Sequence, residues 1–433
     1  MNRFITWPIR FLKNLLLSIR KGFLFLFAFL VFVPLVVAII YGYQFIVDRI
    51  LLDTIVIQVF VITGIFFMVI ATFFISIDVF FRVLYFLLRG HKYIPENRIK
   101  ARKVYVKPHP YVPFIYKSHF KTGENLVSHY PLHKGKFTYS KLITNNMGFA
   151  NGPNGNRDVI QSKPKDLYRI NCLGASTTGN YISQNNQNYS YPLELEKILH
   201  ESYDFKIEVN NFGQGAYNSA DILIRFILDI IETSPDLIII YHGYNDIQTY
   251  LTPNFRSDYS HAKRNLGENY WKFEIGEKIP SLPFHFINFI IEKWFPIGVR
   301  NSLTEFTTKG DIDLSIDPNQ GLQVYRRNLE YLIEVCQSKG IKVVLSTYAH
   351  FLHEDIKDSE LHRKYREIIH KENKIMKELS EKHKLTIVDN ANLIPAEEKY
   401  FLDSVHFTPE GMKLLAKNIA ISLKSHLDEE LDQ

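Results

Sequence analysis

From Leu167 onward, short apolar runs alternate with longer amphipathic stretches, and that alternation restricts the chain to very few architectures. Tyr168–Leu173, Phe205–Asn210, Leu237–Tyr241, Ile341–Tyr348 and Leu385–Asp389 read as strands. Between and after them, Tyr191–Tyr203, Ser219–Thr233, Leu322–Ser338, Ser359–Lys384 and Pro409–Leu427 read as helices. A crossover helix between successive strands lets them lie parallel, so the pattern predicts a five-stranded parallel sheet covered on both faces. This three-layer α/β/α domain would occupy 167–427, a length that one domain can hold. Residues 248–319 break the rhythm. They are too long for an ordinary connection and carry Phe284, Phe286, Phe289, Ile290, Ile291, Trp294 and Phe295. Two readings stay open for this insertion: a lid or binding loop, or an added helical subdomain with its own small core.

The N-terminal third has a different character. Gly22–Val47 is 26 residues without a charge, and Thr54–Ile77 is 24 more. About 20 apolar residues span a bilayer core, so each run is long enough to cross. The pair predicts a transmembrane hairpin over 22–80, with spans at 22–47 and 54–77 and a short, net acidic turn between them. Residues 1–21 form a basic tail in which Phe4–Ile19 has the makings of an interfacial amphipathic helix. Residues 81–166 read as a basic linker and a loosely structured approach segment that packs on the domain, with Asn145–Phe149 as a turn.

Charge follows the same division. Residues 1–107 hold 14 Lys/Arg against 4 Asp/Glu, which leaves 37 against 41 for the remainder. The basic excess therefore flanks the apolar runs and does not belong to the globular part, which argues for a bilayer partner and against nucleic acid. Both outer flanks are basic and the turn at 48–53 is net acidic, so the positive-inside rule puts both ends, and the globular domain, in the cytoplasm. The two cysteines, Cys172 and Cys336, fall in a strand and a helix pattern and read as buried reduced thiols.

Four short segments carry the chemistry: Gly174-Ala175-Ser176-Thr177-Thr178, Gly213-Gln214-Gly215, Gly243-Tyr244-Asn245-Asp246 and Asp403-Ser404-Val405-His406. A serine at a strand-to-loop junction can be a nucleophile, and a histidine with a carboxylate three residues before it can be its base and orienter. A glycine N–H and an asparagine amide can stabilise an oxyanion. Each segment falls at the carboxyl end of a strand or beside the last one, where parallel α/β sheets gather functional groups. His242 reads as a structural histidine at a strand end, while His350, after Ile341–Tyr348, could line the pocket. Asp246 reads as a residue that fixes its loop. No metal-ligand spacing and no phosphate-loop lysine is present, so neither a metal nor a cofactor is expected.

In the order Ser, Gly, Asn, Asp-x-x-His, the sequence resembles the SGNH, or GDSL-type, hydrolase family over 167–427. The resemblance implies Ser176 as nucleophile, His406 as general base and Asp403 as the carboxylate that holds the imidazole. It implies an oxyanion hole made by the N–H groups of Ser176 and Gly215 and the side chain of Asn245. The family's usual Asp before the serine is Ala175 here, Tyr244 is bulky for its place, and the second-block glycine could equally fall on Ala216. The expected activity is hydrolysis of an O-acyl ester, on a carbohydrate or a lipid, by a membrane-anchored serine esterase. A glycan O-acyltransferase or deacetylase, and a catalytically silent binding protein on the same fold, remain the alternatives. Oligomeric state is not legible.

Overall fold

The computed structural model describes residues 37, 40–42, 44, 55–89, 106–107, 109–121, 138–139, 142–179, 181–184, 187–262, 285–294, 312–352 and 359–431. Its principal helices are α1 (Ile55–Arg89), α2 (Tyr191–Ser202), α3 (Ser219–Arg225), α4 (Asn245–Tyr250), α5 (His285–Trp294), α6 (Asn319–Ser338), α7 (Glu360–His383) and α8 (Pro409–Leu431). The main sheet contains β1 (Leu167–Gly174), β2 (Lys206–Gly213), β3 (Leu237–Tyr241), β4 (Lys342–Ser346) and β5 (Thr386–Val388). The chain forms two compact units, one of Met1–Arg102 with Lys272–Ile297, the other of Lys103–Trp271 with Gly298–Gln433.

The first unit contains α1 and α5. Within α1, Val59–Leu88 is the one stretch among the described residues long and apolar enough to cross a membrane. The helix does not stop at residue 80 but runs to Arg89. Its polar residues are accommodated locally: Arg82 Nε donates to Asp78 Oδ2 at 2.8 Å, an i,i+4 pair on one face. Most of the earlier run, 22–47, lies outside the described residues. From the insertion, α5 packs on α1, with the Phe81 ring 5.8 Å from Phe286 and 4.9 Å from Phe289. The Phe286 N–H also donates to Asp78 Oδ1 at 2.8 Å. Phe286 and Phe289 of the insertion thus pack on the apolar helix of their own unit, whereas Tyr250, Phe255 and Tyr259 at its start belong to the core of the second unit; Phe284 and Phe295 lie outside the described residues.

The second unit holds the five-stranded sheet, all parallel, in the order β5-β4-β3-β1-β2. Its strands are apolar because both faces are covered: every residue of β3 is buried. Four of the five predicted helices keep close to their expected spans. The stretch 219–233 differs, since α3 ends at Arg225, widens into a π-helical turn at Phe226–Ile230 and tightens into a 3-10 turn at Ile231–Thr233. Thr233 is drawn onto the sheet: its carbonyl accepts from the buried Arg169 guanidinium, and its Oγ1 accepts from Asn171 Nδ2 at 2.9 Å. Periodicity alone cannot register that pull.

The approach segment is more ordered than its composition suggests. Asn145 Oδ1 accepts from the N–H groups of Met147 and Phe149, both at 3.0 Å, closing the expected turn. Asn151 then reaches the outer strand: its Nδ2 donates to Asn210 Oδ1 at 2.8 Å and its Oδ1 accepts from the Asn211 N–H at 3.0 Å. Arg157 adds a bond to the Val209 carbonyl and an ion pair to Glu196. An uncovered edge strand offers unpaired N–H and C=O groups to other chains, and this segment occupies that edge. Phe114 and Phe149 enter the core beneath it.

Order 2-1-3-4-5 makes the connections leave β1 in opposite directions, so a crevice opens at the carboxyl ends of β1 and β3. Strand register keeps the rim level there, with Gly174 opposite both Gly213 and Tyr241. The backbones meet so closely that side chains are excluded. A Cβ on Gly213 would sit 2.2 Å from Gly179 N and 2.6 Å from Gly179 Cα. Gly213→Ala is therefore expected to destabilise the domain by at least about 2 kcal/mol through overpacking. Thermal unfolding should show a Tm lower by about 4–8 °C for a domain of this size; an unchanged Tm would mean that the two loops separate freely.

Candidate active site

The first segment leaves β1 at Gly174, where a Cβ would lie 2.4 Å from the Tyr241 carbonyl oxygen. The chain then turns at once into a single helical turn, Ser176–Gly179, closed by bonds from the Thr178 and Gly179 N–H groups to Ala175 O at 3.2 and 2.8 Å. This compact turn sets Ser176 at the rim, partly exposed.

The last segment is folded around its own carboxylate. Asp403 Oδ1 accepts from the N–H groups of Val405 and His406 at 2.9 and 2.8 Å. Leu402 N donates to His406 O at 2.7 Å, and Phe351 N donates to Ser404 O at 2.9 Å, which ties the loop to the chain after β4. Phe401 and Phe407, both buried, anchor its two ends. The three-residue spacing then lets Asp403 Oδ2 reach the ring, 2.7 Å from His406 Nδ1. An ionised carboxylate can only accept, so Nδ1 carries the proton and Nε2 presents a lone pair. Ser176 Oγ lies 2.8 Å from that Nε2 and donates to it. Burial alone would raise the Asp403 pKa, but the charge of His406 and hydrogen bonds from its ring, its N–H and the Val405 N–H outweigh that. The carboxyl sits below its ordinary value. The chain Ser176–His406–Asp403 is unbroken and poised for proton transfer.

The second and third segments meet beside it. Gln214–Tyr217 forms a turn with the Tyr217 N–H on Gln214 O at 3.3 Å. Its left-handed residue is Ala216, at φ 64°, although glycine is the residue that usually takes this place in such a turn. Asn245 begins α4, and its Nδ2 donates one hydrogen to Tyr217 O at 2.9 Å, which couples the two segments and leaves the second hydrogen for a ligand. The turn before it is tight: Tyr244 has φ 50° and ψ −54°, and the Asn245 N–H donates back to Gly243 O at 2.5 Å. A three-residue turn with a positive central φ is rare and strained.

Beneath this rim lies a polar knot in which Asp246 and His242 act as the structural residues expected, but with partners that the sequence did not reveal. The fully buried Asp246 accepts from the Ser219 N–H at 2.8 Å, the Ser219 hydroxyl at 2.5 Å, the Tyr259 hydroxyl at 2.9 Å and His242 Nε2 at 2.7 Å. His242 is buried, and its carbonyl accepts from the Tyr325 hydroxyl at 2.9 Å. Asp246 and His242 thus hold the third segment from below. Ser219, Tyr259 and Tyr325 come from three other stretches of chain, and no local spacing links them. Cys172 and Cys336 are both buried and free. Burial pushes the Cys336 thiol up to about 12. Glu330, Glu334 and His383 come together near the ends of α6 and α7, at the opposite edge of the sheet, where Lys382 already pairs with Glu330.

Sequence comparison adds to this geometry. The profile of the GDSL-like Lipase/Acylhydrolase family matches residues 172–414, and no curated protein matches the chain. Among solved structures, a lipase/acylhydrolase from Enterococcus faecalis is similar at 17% identity, covering 60% of this chain and 96% of its own, with a TM-score of 0.35. A GDSL-like lipase from Bacteroides thetaiotaomicron is similar at 16% identity, covering 62% and 93%, with a TM-score of 0.34. An acetylxylan esterase from Geobacillus stearothermophilus is similar at 16% identity, covering 59% and 94%, with a TM-score of 0.36.

His350 follows β4 on the chain that braces the Asp403 loop, with its ring 5.3 Å from that of His370. Burial first, then the charges of His370 and Arg366, push its pKa down to about 4. The unfolded chain holds a proton there up to about pH 6.5, so folding must expel it between those values. Stability should therefore fall as pH drops from about 6.5 to 4 by up to about 3 kcal/mol and level off below. In His350→Gln, denaturant titrations at pH 7 and pH 4 should show that part of the loss removed. Parallel pH–stability curves for the two proteins would contradict this.

Proposed function

Because this chain belongs to the GDSL-like lipase/acylhydrolase family and is a hydrolase acting on esters, we propose that it is a membrane-anchored serine esterase that carries its acyl intermediate on Ser176. The observation that carries this reading is the continuous hydrogen-bonded chain from Ser176 Oγ through His406 to Asp403, at 2.8 and 2.7 Å. Ser176 Oγ attacks the ester carbonyl carbon while His406 Nε2 takes its proton. Asp403, held ionised, stabilises the resulting imidazolium and keeps its orientation. The carbonyl oxygen, now negative, is received by the N–H groups of Ser176 and Gly215 and by the free hydrogen of Asn245 Nδ2. The C–O bond to the leaving alcohol then breaks, and His406 returns the proton to that alcohol. Water repeats the cycle on the acyl-enzyme and releases the acid. No metal or cofactor enters these steps. The substrate is an O-acyl ester of a carbohydrate or a lipid.

Anchoring is supported by α1, whose Val59–Leu88 stretch has the length and apolarity to cross a bilayer and leaves Phe60, Phe66 and Phe67 exposed. With the uncharged run 22–47 as a second span, the basic flanks on both sides support a cytoplasmic position for the two ends and the catalytic domain.

Two outcomes are expected. Wild-type protein should react with a fluorophosphonate probe and hydrolyse aryl esters, while Ser176→Ala should lose labelling and about 10⁴-fold or more in kcat. Labelling and turnover that persist in Ser176→Ala would sink the assignment. Protease added to intact spheroplasts should spare the region beyond Lys107; its digestion while a cytoplasmic control protein survives would place the domain outside.

A further inference from the structure

The strained turn at Tyr244 needs a holder, and one fully buried acid lies directly under it. Glu372, on α7, has no solvent exposure. Its Oε1 is 2.9 Å from the Tyr250 hydroxyl, at the far end of α4. Its Oε2 lies against the turn itself: a Cβ on Gly243 would come within 3.2 Å of that oxygen and 3.0 Å of the Tyr348 ring. Oε2 has no hydrogen-bond partner of ordinary geometry among the described residues. The Tyr244 backbone is among the groups that pull on this carboxyl. Glu372 therefore lies against both the turn that precedes Asn245 and the helix that Asn245 begins.

We propose that Glu372 is a positioning residue for the ester hydrolysis, its carboxyl bracing the Gly243–Asn245 turn from beneath and so aiming the Asn245 amide at the oxyanion. The inference rests on the esterase reading above, and it adds a residue that touches neither substrate nor the reacting atoms. Chemistry suits the task. Burial, followed by the nearby Asp246 charge, pushes the Glu372 pKa well above its ordinary value, against the smaller pull of the Tyr250 and Tyr244 contacts. A neutral carboxylic acid has one donor and one acceptor oxygen. The carbonyl oxygen can accept from the Tyr250 hydroxyl while the other oxygen faces the Gly243–Asn245 turn, without a second negative charge beside Asp246. A glutamine offers the same pair of functions in nearly the same shape, and leucine offers neither. Asp246 and Glu372 thus support the third segment from two sides: one fixes the start of α4 to Ser219 and Tyr259, the other fixes the turn that precedes it.

The test is a double-mutant cycle read by steady-state kinetics on an aryl ester, with probe labelling as a control for folded enzyme. Asn245→Ala should lower kcat by roughly 10²–10³-fold, the usual cost of one oxyanion donor. Glu372→Leu should lower kcat by roughly 10-fold or more with little change in KM, because an ill-aimed donor fails chiefly in the transition state. In the Asn245→Ala background the same substitution should cost less than about 3-fold, because its effect passes through the missing amide. Glu372→Gln should stay within about 3-fold of wild type, since the hydrogen-bonding pair is kept. If Glu372→Leu does not fold, Tyr250→Phe replaces it and should give a smaller kcat loss that also vanishes without Asn245. Full additivity with Asn245→Ala, or a Gln variant as impaired as the Leu variant, would overturn the proposal. A wild type inert toward both ester and probe would overturn the esterase reading instead, which separates the two failures.

Discussion

The site depends on how closely three backbones approach at the carboxyl edge of the sheet. β1 ends at Gly174, level with Gly213 of β2 and Tyr241 of β3. No Cβ fits at Gly174 or Gly213 without striking a neighbouring loop. Once those strands end together, the next residues of each have little freedom, because each loop packs against its neighbour's backbone. Ser176 begins a single turn, the second loop is hydrogen-bonded to Gly174 through the Gln214 N–H, and Asn245 is tied across to Tyr217. The histidine loop arrives from elsewhere in sequence and is held by its own aspartate. Strand order then does the rest, since it opens a crevice where the connections beyond β1 and β3 part.

Three acids divide the work of keeping this rim rigid. Asp403 is partly exposed and stays ionised because His406 and two N–H groups favour its charge. Asp246 is fully buried and is satisfied by four donors from three parts of the chain. Glu372 is equally buried but has only a hydroxyl and the Tyr244 backbone near it, and burial favours its neutral form. A buried carboxylate without donors would cost several kcal/mol, so burial prevails at Glu372 while the donors around Asp403 prevail there. Catalytic precision here is set by groups at one remove from the reacting atoms.

Much of the fold was legible because apolar runs and helical periodicity are local properties. All five strands of the main sheet fall where those runs lie, and the Asp403/His406 pair was legible because its spacing closes one turn. Other features were not, for nameable reasons. The left-handed residue of the second segment is Ala216, a place that sequence rules would give to glycine. The 219–233 helix changes pitch because Arg169 and Asn171 pull on Thr233 from the sheet. The Asn-rich approach segment looked loosely structured because its order comes from bonds to β2, not from its own pattern. Glu372 lies more than a hundred residues from the turn it supports, inside an amphipathic helix that gives no local sign of chemistry. The hairpin reading meets a single described helix, since most of 22–47 lies outside the described residues.

The central claim is that the ester's acyl group passes through a covalent bond to one serine. Rapid mixing of the full-length protein with an activated aryl ester, followed by acid quench and peptide mass analysis, measures this directly. The account predicts a burst of aryl alcohol stoichiometric with enzyme and one acyl group on the peptide that contains Ser176. Ester turnover with no acyl adduct, or an adduct on any other residue, would contradict it.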